Sequence, residues 1–169
     1  TMNTKKRATP NNHFRKPTYH DTILATSLAP SHFSYKLTKN PSKEAAESIA
    51  NGKIIGWFQD RLEFGDRALG NRSILADPRK KNMKMRVNAT VKYREKFRPF
   101  APAIIDTEGY NYFENYQDSR FMEKTLKIKK PFRNKIPAVT HKDGSGRLQT
   151  VSKENNPLYY KLLEKFKEK

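Results

Sequence analysis

GWFQDRLEFGDRALGNRSILADPR, residues Gly56 to Arg79, is the stretch on which the reading of this sequence turns. It begins inside a short apolar run of strand type, KIIGWF (Lys53 to Phe58), and runs through a second, RSILA (Arg72 to Ala76). Between them lies a connection rich in charge and glycine. Its Phe64-Gly65-Asp66-Arg67-Ala68-Leu69-Gly70 turn has two glycines that let the backbone bend tightly around a ligand. Phosphate needs charge-assisted donors and close backbone approach, and an arginine such as Arg67 can meet two of its oxygens at once. The same spacing also fits a plain strand connection whose arginines face water. Asp77-Pro78 then reads as N-cap and first helical position, with Met83 and Val87 four apart on the helix that follows.

Upstream, NPSKEAAESIANG predicts a helix capped by Asn40 or Ser42, with Ala45, Ala46 and Ile49 on one apolar face and Gly52 as its stop. Residues 1–40 mix Lys, Asn, Thr, Pro and His without periodicity. They read as an extended basic arm, partly ordered, in which Ile23 to Leu28 is a candidate edge strand. Downstream, strands are expected at Ala101 to Ile105, Ile136 to Thr140 and Arg147 to Val151. Asn156-Pro157 opens a last helix, where Leu158, Tyr159, Leu162, Leu163 and Phe166 recur at helical spacing. Strands interleaved with helices predict an α/β (α+β) layer fold, as one domain over 41–169.

A chain of 169 residues suits one domain with a core, but 35% hydrophobic residues is low for a compact protein. Lys+Arg at 35 against Asp+Glu at 17 gives a formal charge of +18. Charge of that size fits nucleic acid, an anionic surface, or an anionic small substrate on a basic scaffold, and chooses among none of them. Runs such as Lys127 to Lys130 and Lys161 to Lys169 also fit a merely solvated basic surface. With no cysteine, disulfides, thiolate nucleophiles and sulfur-ligated metals are excluded, which fits a cytoplasmic location. No apolar run reaches the roughly 18–20 residues a membrane helix needs, and the opening TMNTKKRATPN lacks the apolar stretch of a secretory signal. Thr1 before Met2 hints at an expression scar or a fragment boundary.

Two further segments carry candidate chemistry. In VKYREKFRPFAP (Val91 to Pro102), an extended backbone would put Lys92, Arg94 and Arg98 on one face as a basic row, or as solvated cations of a half-exposed strand. In AVTHKDGSGRLQTV (Ala138 to Val151), His141 follows an apolar run, a place where strand ends present functional groups. No HxxxH, HExxH or carboxylate cluster accompanies it, so no metal is expected on this chain. Asp77 and Asp118 are possible bases, but nothing pairs either with a nucleophile.

Taken together, these segments resemble the C-terminal domain of the carbamoyltransferase family of antibiotic and nodulation-factor biosynthesis. The resemblance rests on GWFQDRLEFGDRALGNRSILADPR, KYREKFRPFAPAI (Lys92 to Ile104), PAVTHKDGSGRLQTV (Pro137 to Val151) and NPLYYKLLEKF (Asn156 to Phe166). Four ordered blocks over Gly52 to Phe166 make it specific; the segment before Ser42 matches only around Leu28-Ala29-Pro30-Ser31.

The resemblance implies a YrdC-like fold, a twisted mixed sheet flanked by helices, that forms carbamoyl-adenylate from carbamoyl phosphate and ATP for transfer to a hydroxyl acceptor. It matches Arg67, Lys92, Arg98 and Arg147 to the family's anion-binding cations, with Lys92 and Arg98 as the catalytic pair and Thr140 and His141 as neighbours of nucleotide or carbamoyl group. Asn71 and Ser73 are further polar candidates that turn formation explains equally well. Four positions depart from the family pattern: Asp60 for glycine, Asp66 for proline, Lys96 for proline and Gly146 for alanine. Asp66 stands beside Arg67, where a carboxylate competes with phosphate for the guanidinium. The family's closing Asn-Thr-Ser-Phe-Asn segment is expected after Lys169, and its metal-binding histidines belong to an actin-like N-terminal domain. The resemblance therefore implies a domain working with that partner, in cis or in trans. The other readings are a basic nucleic-acid-binding module on the same scaffold and an inactive remnant.

Overall fold

Helix α1 (Pro41–Ala50) starts on a proline, whose missing N–H is not needed in a first turn, and buries Ala46 and Ile49. Gly52, at φ +81°, ends it: its N–H donates to Ile49 O at 2.8 Å and that of Lys53 to Ser48 O at 3.0 Å. In the computed structural model, residues 37–169 are described. The edge strand expected at Ile23 to Leu28, and the arm through residue 36, lie outside them.

Strands β1 (Ile55–Phe58) and β2 (Arg72–Leu75) pair antiparallel, with Trp57 opposite Ser73. Strand β3 (Ala103–Ile105) runs parallel to β6 (Gln149–Val151), and β4 (Thr125–Lys127) antiparallel to β5 (Ser145–Arg147). Only Leu148 separates β5 from β6, so one segment serves two ladders, and Leu148 is fully buried where they meet. The mixture of one parallel and two antiparallel pairs with helices between them is the expected α/β class, with its pairing distributed over three two-stranded ladders.

The last helix, α5 (Pro157–Lys167), is capped as expected: Asn156 Oδ1 accepts from Tyr159 N at 3.2 Å and from Gln59 Nε2 at 2.8 Å. Its apolar face closes a core of Ile49, Trp57, Val151, Tyr159 and Leu162. Two smaller clusters centre on Met83, Val87 and Ala138, and on Phe113, Ile128 and Leu148. Short helices α2 (Met83–Val87), α3 (Gly109–Tyr112) and α4 (Lys130–Arg133) complete the set. Among the described residues no helix is long and apolar enough to cross a membrane.

Three local expectations are corrected. No helix starts at Asp77-Pro78; turns follow and α2 begins at Met83, because the Asp77 carboxylate accepts from Arg79 N at 2.8 Å, two residues on, and closes a turn instead. Ile136 to Thr140 is not a strand, since the Thr140 hydroxyl donates to Ile136 O at 2.9 Å and holds the segment curled. VKYREKFRPFAP is not extended at its start either: α2 continues into a π-helical turn, Asn88–Lys92, and Tyr93 follows at φ +47°. The basic row of a pleated strand is thereby replaced by a helix end and a loop.

Candidate functional site

A cavity of about 580 Å³ opens between the exit of β2, helix α2, the segment Lys92 to Pro102, β3 and α5. Much of its wall is apolar, from Met83, Val87, Phe100, Ile105 and Leu162. Arg67, Lys92 and Arg94 also line it, each delivered by a different local device.

Arg67 comes from the glycine-rich connection, which curls around one carboxylate. Glu63 Oε1 accepts from Leu69 N at 2.8 Å and Asn71 N at 3.0 Å, while Gly70 N donates to Ser73 Oγ at 3.0 Å. Three backbone donors that an exposed loop would leave to water are thereby satisfied inside the loop. Asp66 lines the cavity too, but among the described residues no ion pair joins it to Arg67. Lys92 closes the π-helical turn, and Arg94 follows the left-handed Tyr93.

Asp77 is the buried acid of this wall, at 0% exposure. Its charge is matched by Arg79, with Nε 2.9 Å from Oδ1 and Nη2 2.9 Å from Oδ2, and this hydrogen bonding raises the guanidinium above its ordinary value. Arg79 lies 4.8 Å over the Phe166 ring, which completes its packing. With Asp77 neutralised in this way, the cavity presents net positive charge to an entering ligand.

Of the remaining sequence-derived residues, Ser73 lines the cavity, while Asn71, Arg98, Arg147, Thr140 and His141 lie outside the lining. Arg98 Nε pairs with Glu95 Oε2 at 3.0 Å on the surface. Arg147 Nε donates to Met122 O at 2.7 Å, and Met122 itself lines the cavity. Thr140 is held by its own turn. His141 Nδ1 lies 3.1 Å from Ser145 Oγ, whose hydroxyl donates to Asp143 Oδ1 at 2.6 Å. That direction makes Nδ1 the donor to Ser145, while Nε2 is buried and makes no hydrogen bond among the described residues. Arg94, in the basic row of the sequence but not among its site residues, is one of the cations that the structure adds to the lining, with Arg79, Lys84 and Lys167. Among the described residues no group of three His, Cys, Asp or Glu is placed to hold a metal ion.

The Asp143 carboxyl is held well below the usual carboxylate range, first by the Ser145 hydroxyl and then by Lys127 Nζ at 2.9 Å from Oδ2. A depressed folded-state value stabilises the fold above the ordinary carboxyl pKa of about 3.9, and the contribution fades as pH falls below it. Asp143→Asn is therefore expected to lower the melting temperature at pH 7 relative to wild type, with the gap narrowing below about pH 4. Melting curves across that range check it; a gap independent of pH contradicts it.

The profile described as Carbamoyltransferase C-terminus matches residues 46–169. The chain belongs to that family. It is 44% identical over 141 residues to nodulation protein NolO of Bradyrhizobium diazoefficiens, covering 82% of this chain and 26% of the relative. It is 38% identical over 122 residues to the 3'-hydroxymethylcephem-O-carbamoyltransferase of Streptomyces clavuligerus, covering 72% and 23%. Nodulation protein U of Azorhizobium caulinodans is 38% identical over 123 residues, with 73% and 22% covered. The chain thus spans about a quarter of the length of these relatives. Arg67, Lys92 and Arg94 all fall inside the segment that the carbamoyltransferase C-terminus profile matches.

Proposed function

We propose that this carbamoyltransferase C-terminal domain binds carbamoyl phosphate and ATP and forms carbamoyl-adenylate for transfer to a hydroxyl acceptor, together with an actin-like domain that lies elsewhere. The observation that carries the reading is the cavity with Arg67, Lys92 and Arg94 around an apolar interior and its one fully buried carboxylate, Asp77, neutralised by Arg79. Water first displaces the phosphate of carbamoyl phosphate, giving carbamate and inorganic phosphate; a carbamate oxygen then bonds to the α-phosphorus of ATP as the bond to pyrophosphate breaks and pyrophosphate leaves. Negative charge grows on phosphoryl oxygens as this happens, so fixed cations in a cavity partly closed to water lower the barrier. Arg67 and Lys92 hold the anion in this reading. Arg98 joins them by exchanging Glu95, an exposed partner, for phosphate, and Arg147 reaches the site beside Met122. Thr140 and His141 flank the carbamoyl or nucleotide group in this reading.

The name of the cephem relative supports the O-carbamoyl acceptor, and the length of the relatives supports a partner domain in the same or a separate chain. No metal is assigned to this chain in the proposal; the metal-binding histidines belong to the partner. The reading places the domain in the cytoplasm, where both substrates are made.

Calorimetric titration with carbamoyl phosphate tests the reading directly. Saturable binding is expected at physiological salt, where a broad nucleic-acid-binding surface would lose roughly 10³–10⁵ in affinity for RNA between 50 and 200 mM salt. Tight, steeply salt-dependent RNA binding without carbamoyl phosphate binding would overturn it.

A further inference from the structure

Arg94 shares its segment with Lys92, Lys96 and Arg98, and sequence spacing does not separate it from them. Its surroundings do. Its Nε donates to Asn88 Oδ1 at 2.8 Å, and its guanidinium lies 4.7 Å over the Phe100 ring, a residue that also lines the cavity. One edge of the guanidinium is thus fixed by a hydrogen bond and one face by an aromatic ring. Its two Nη groups make no hydrogen bond to any described residue.

Asn88, at 0% exposure, is the hub of this arrangement. Its Nδ2 donates to Arg98 O at 3.0 Å and to Lys96 O at 3.4 Å, and its backbone carbonyl accepts from Arg94 N at 3.1 Å. A buried amide is costly unless its donors and acceptor are all used, and here each is used on the loop that follows the π-helical turn. The side chain therefore ties the helix end to Arg94 on one side and to Lys96 and Arg98 on the other.

We propose that Arg94 is an anion-binding residue of this cavity, presenting its two Nη groups to the oxygens of one phosphate-type group, and that Asn88 is the positioning residue that aims it. This rests on the reading of the cavity as an anion site. The chemistry favours arginine for a geometric reason: a planar fork held at Nε offers two parallel N–H donors spaced like two phosphate oxygens, which an ammonium does not. Asn88 contributes by removing the rotational freedom that the fork would otherwise lose on binding.

The test titrates inorganic phosphate and carbamoyl phosphate into the whole chain and its variants, alongside amide hydrogen exchange of residues 94–100. Arg94→Lys, which keeps the charge and sits at a half-buried position, is expected to weaken both anions roughly tenfold with exchange unchanged. Asn88→Asp keeps an acceptor for Arg94 Nε but loses the donor to Lys96 and Arg98. It is expected to weaken anions by a similar, roughly tenfold factor and to accelerate exchange across 94–100. Arg67→Ala serves as the comparison, lowering affinity without touching that exchange. If Arg67→Ala weakens binding while Arg94→Lys leaves it unchanged, the Arg94 assignment falls and the cavity reading stands. If the wild-type chain binds neither anion, both fall. Unchanged exchange in a folded Asn88→Asp chain removes Asn88 from the positioning role; should that variant not fold, Asn88→Ser, shorter and still able to donate, replaces it under the same criterion.

Discussion

Lys92→Ala is expected to weaken carbamoyl phosphate binding by about 30- to 100-fold, the loss that follows when a charged donor to an oxyanion is removed from a partly closed site. Lys92 closes the π-helical turn on the cavity wall, so its deletion removes charge without disturbing a buried contact. Melting temperature is expected to stay near the wild-type value, since an exposed side chain is lost. Arg98→Ala probes something different. That side chain pairs with Glu95 on the surface, so a comparable loss of affinity on its removal would mean that the loop rearranges when the anion enters. An Arg98→Ala chain with wild-type affinity would take Arg98 out of the clamp and leave Lys92, Arg67 and Arg94 in it. Unchanged affinity in Lys92→Ala would end the proposal that this cavity takes the anion.

The parts of the fold legible in the sequence are those where local chemistry and tertiary packing ask for the same conformation. Pro41 and Gly52 bound α1, and Asn156-Pro157 opens α5, because capping and φ restriction act through neighbours in the chain. The β1–β2 pair is legible for the same reason, as two apolar runs around a glycine-bearing connection. Where a side chain competes with the backbone ladder, sequence reading fails. Asp77 and Thr140 each turn the chain by hydrogen bonds that a propensity argument does not count, and β4 is only three residues long, too short to carry a period. The site divides in the same way. Arg67 and Lys92, which the sequence offered alongside a plain strand connection and a row of solvated cations, both stand on the cavity wall. Arg94 belongs to the basic row of the sequence, but its tie to Asn88 is not legible there, because the π-helical turn at Asn88–Lys92 alters which residues share a face, and nothing in the letters announces that turn. His141, read as a ligand neighbour, also meets Ser145, whose hydroxyl donates to Asp143, a relation visible only once β5 brings Ser145 beside it.

Gly70→Ala is expected to destabilise the chain by about 3 kcal/mol, the sum of a backbone penalty and a packing penalty. Gly70 sits at φ +114°, a conformation that side-chain-bearing residues rarely adopt, at a cost on the order of 1–3 kcal/mol. A methyl built there lies 2.9 Å from Cε1 of Tyr159 and nearer still to Cδ1. That ring has little room to move, since Tyr159 is itself buried in the cluster of Ile49, Trp57, Val151 and Leu162. Its burial is also what pushes the phenol above its ordinary pKa, so the ring lacks easy access to water as an escape. Gly65→Ala separates the two costs. Gly65 has a similar φ, +111°, but nothing stands within 4 Å of the added methyl, so only the backbone term, about 1 kcal/mol, is expected. Urea unfolding of both variants decides the matter: equal losses would mean that contact with Tyr159 does not limit this position. Because Gly70 N also holds Ser73, and the loop it closes carries Arg67 to the cavity, Gly70→Ala is expected to lower anion affinity as well. Gly65→Ala, at the open tip of the same loop, then shows how much of that loss comes from backbone strain alone.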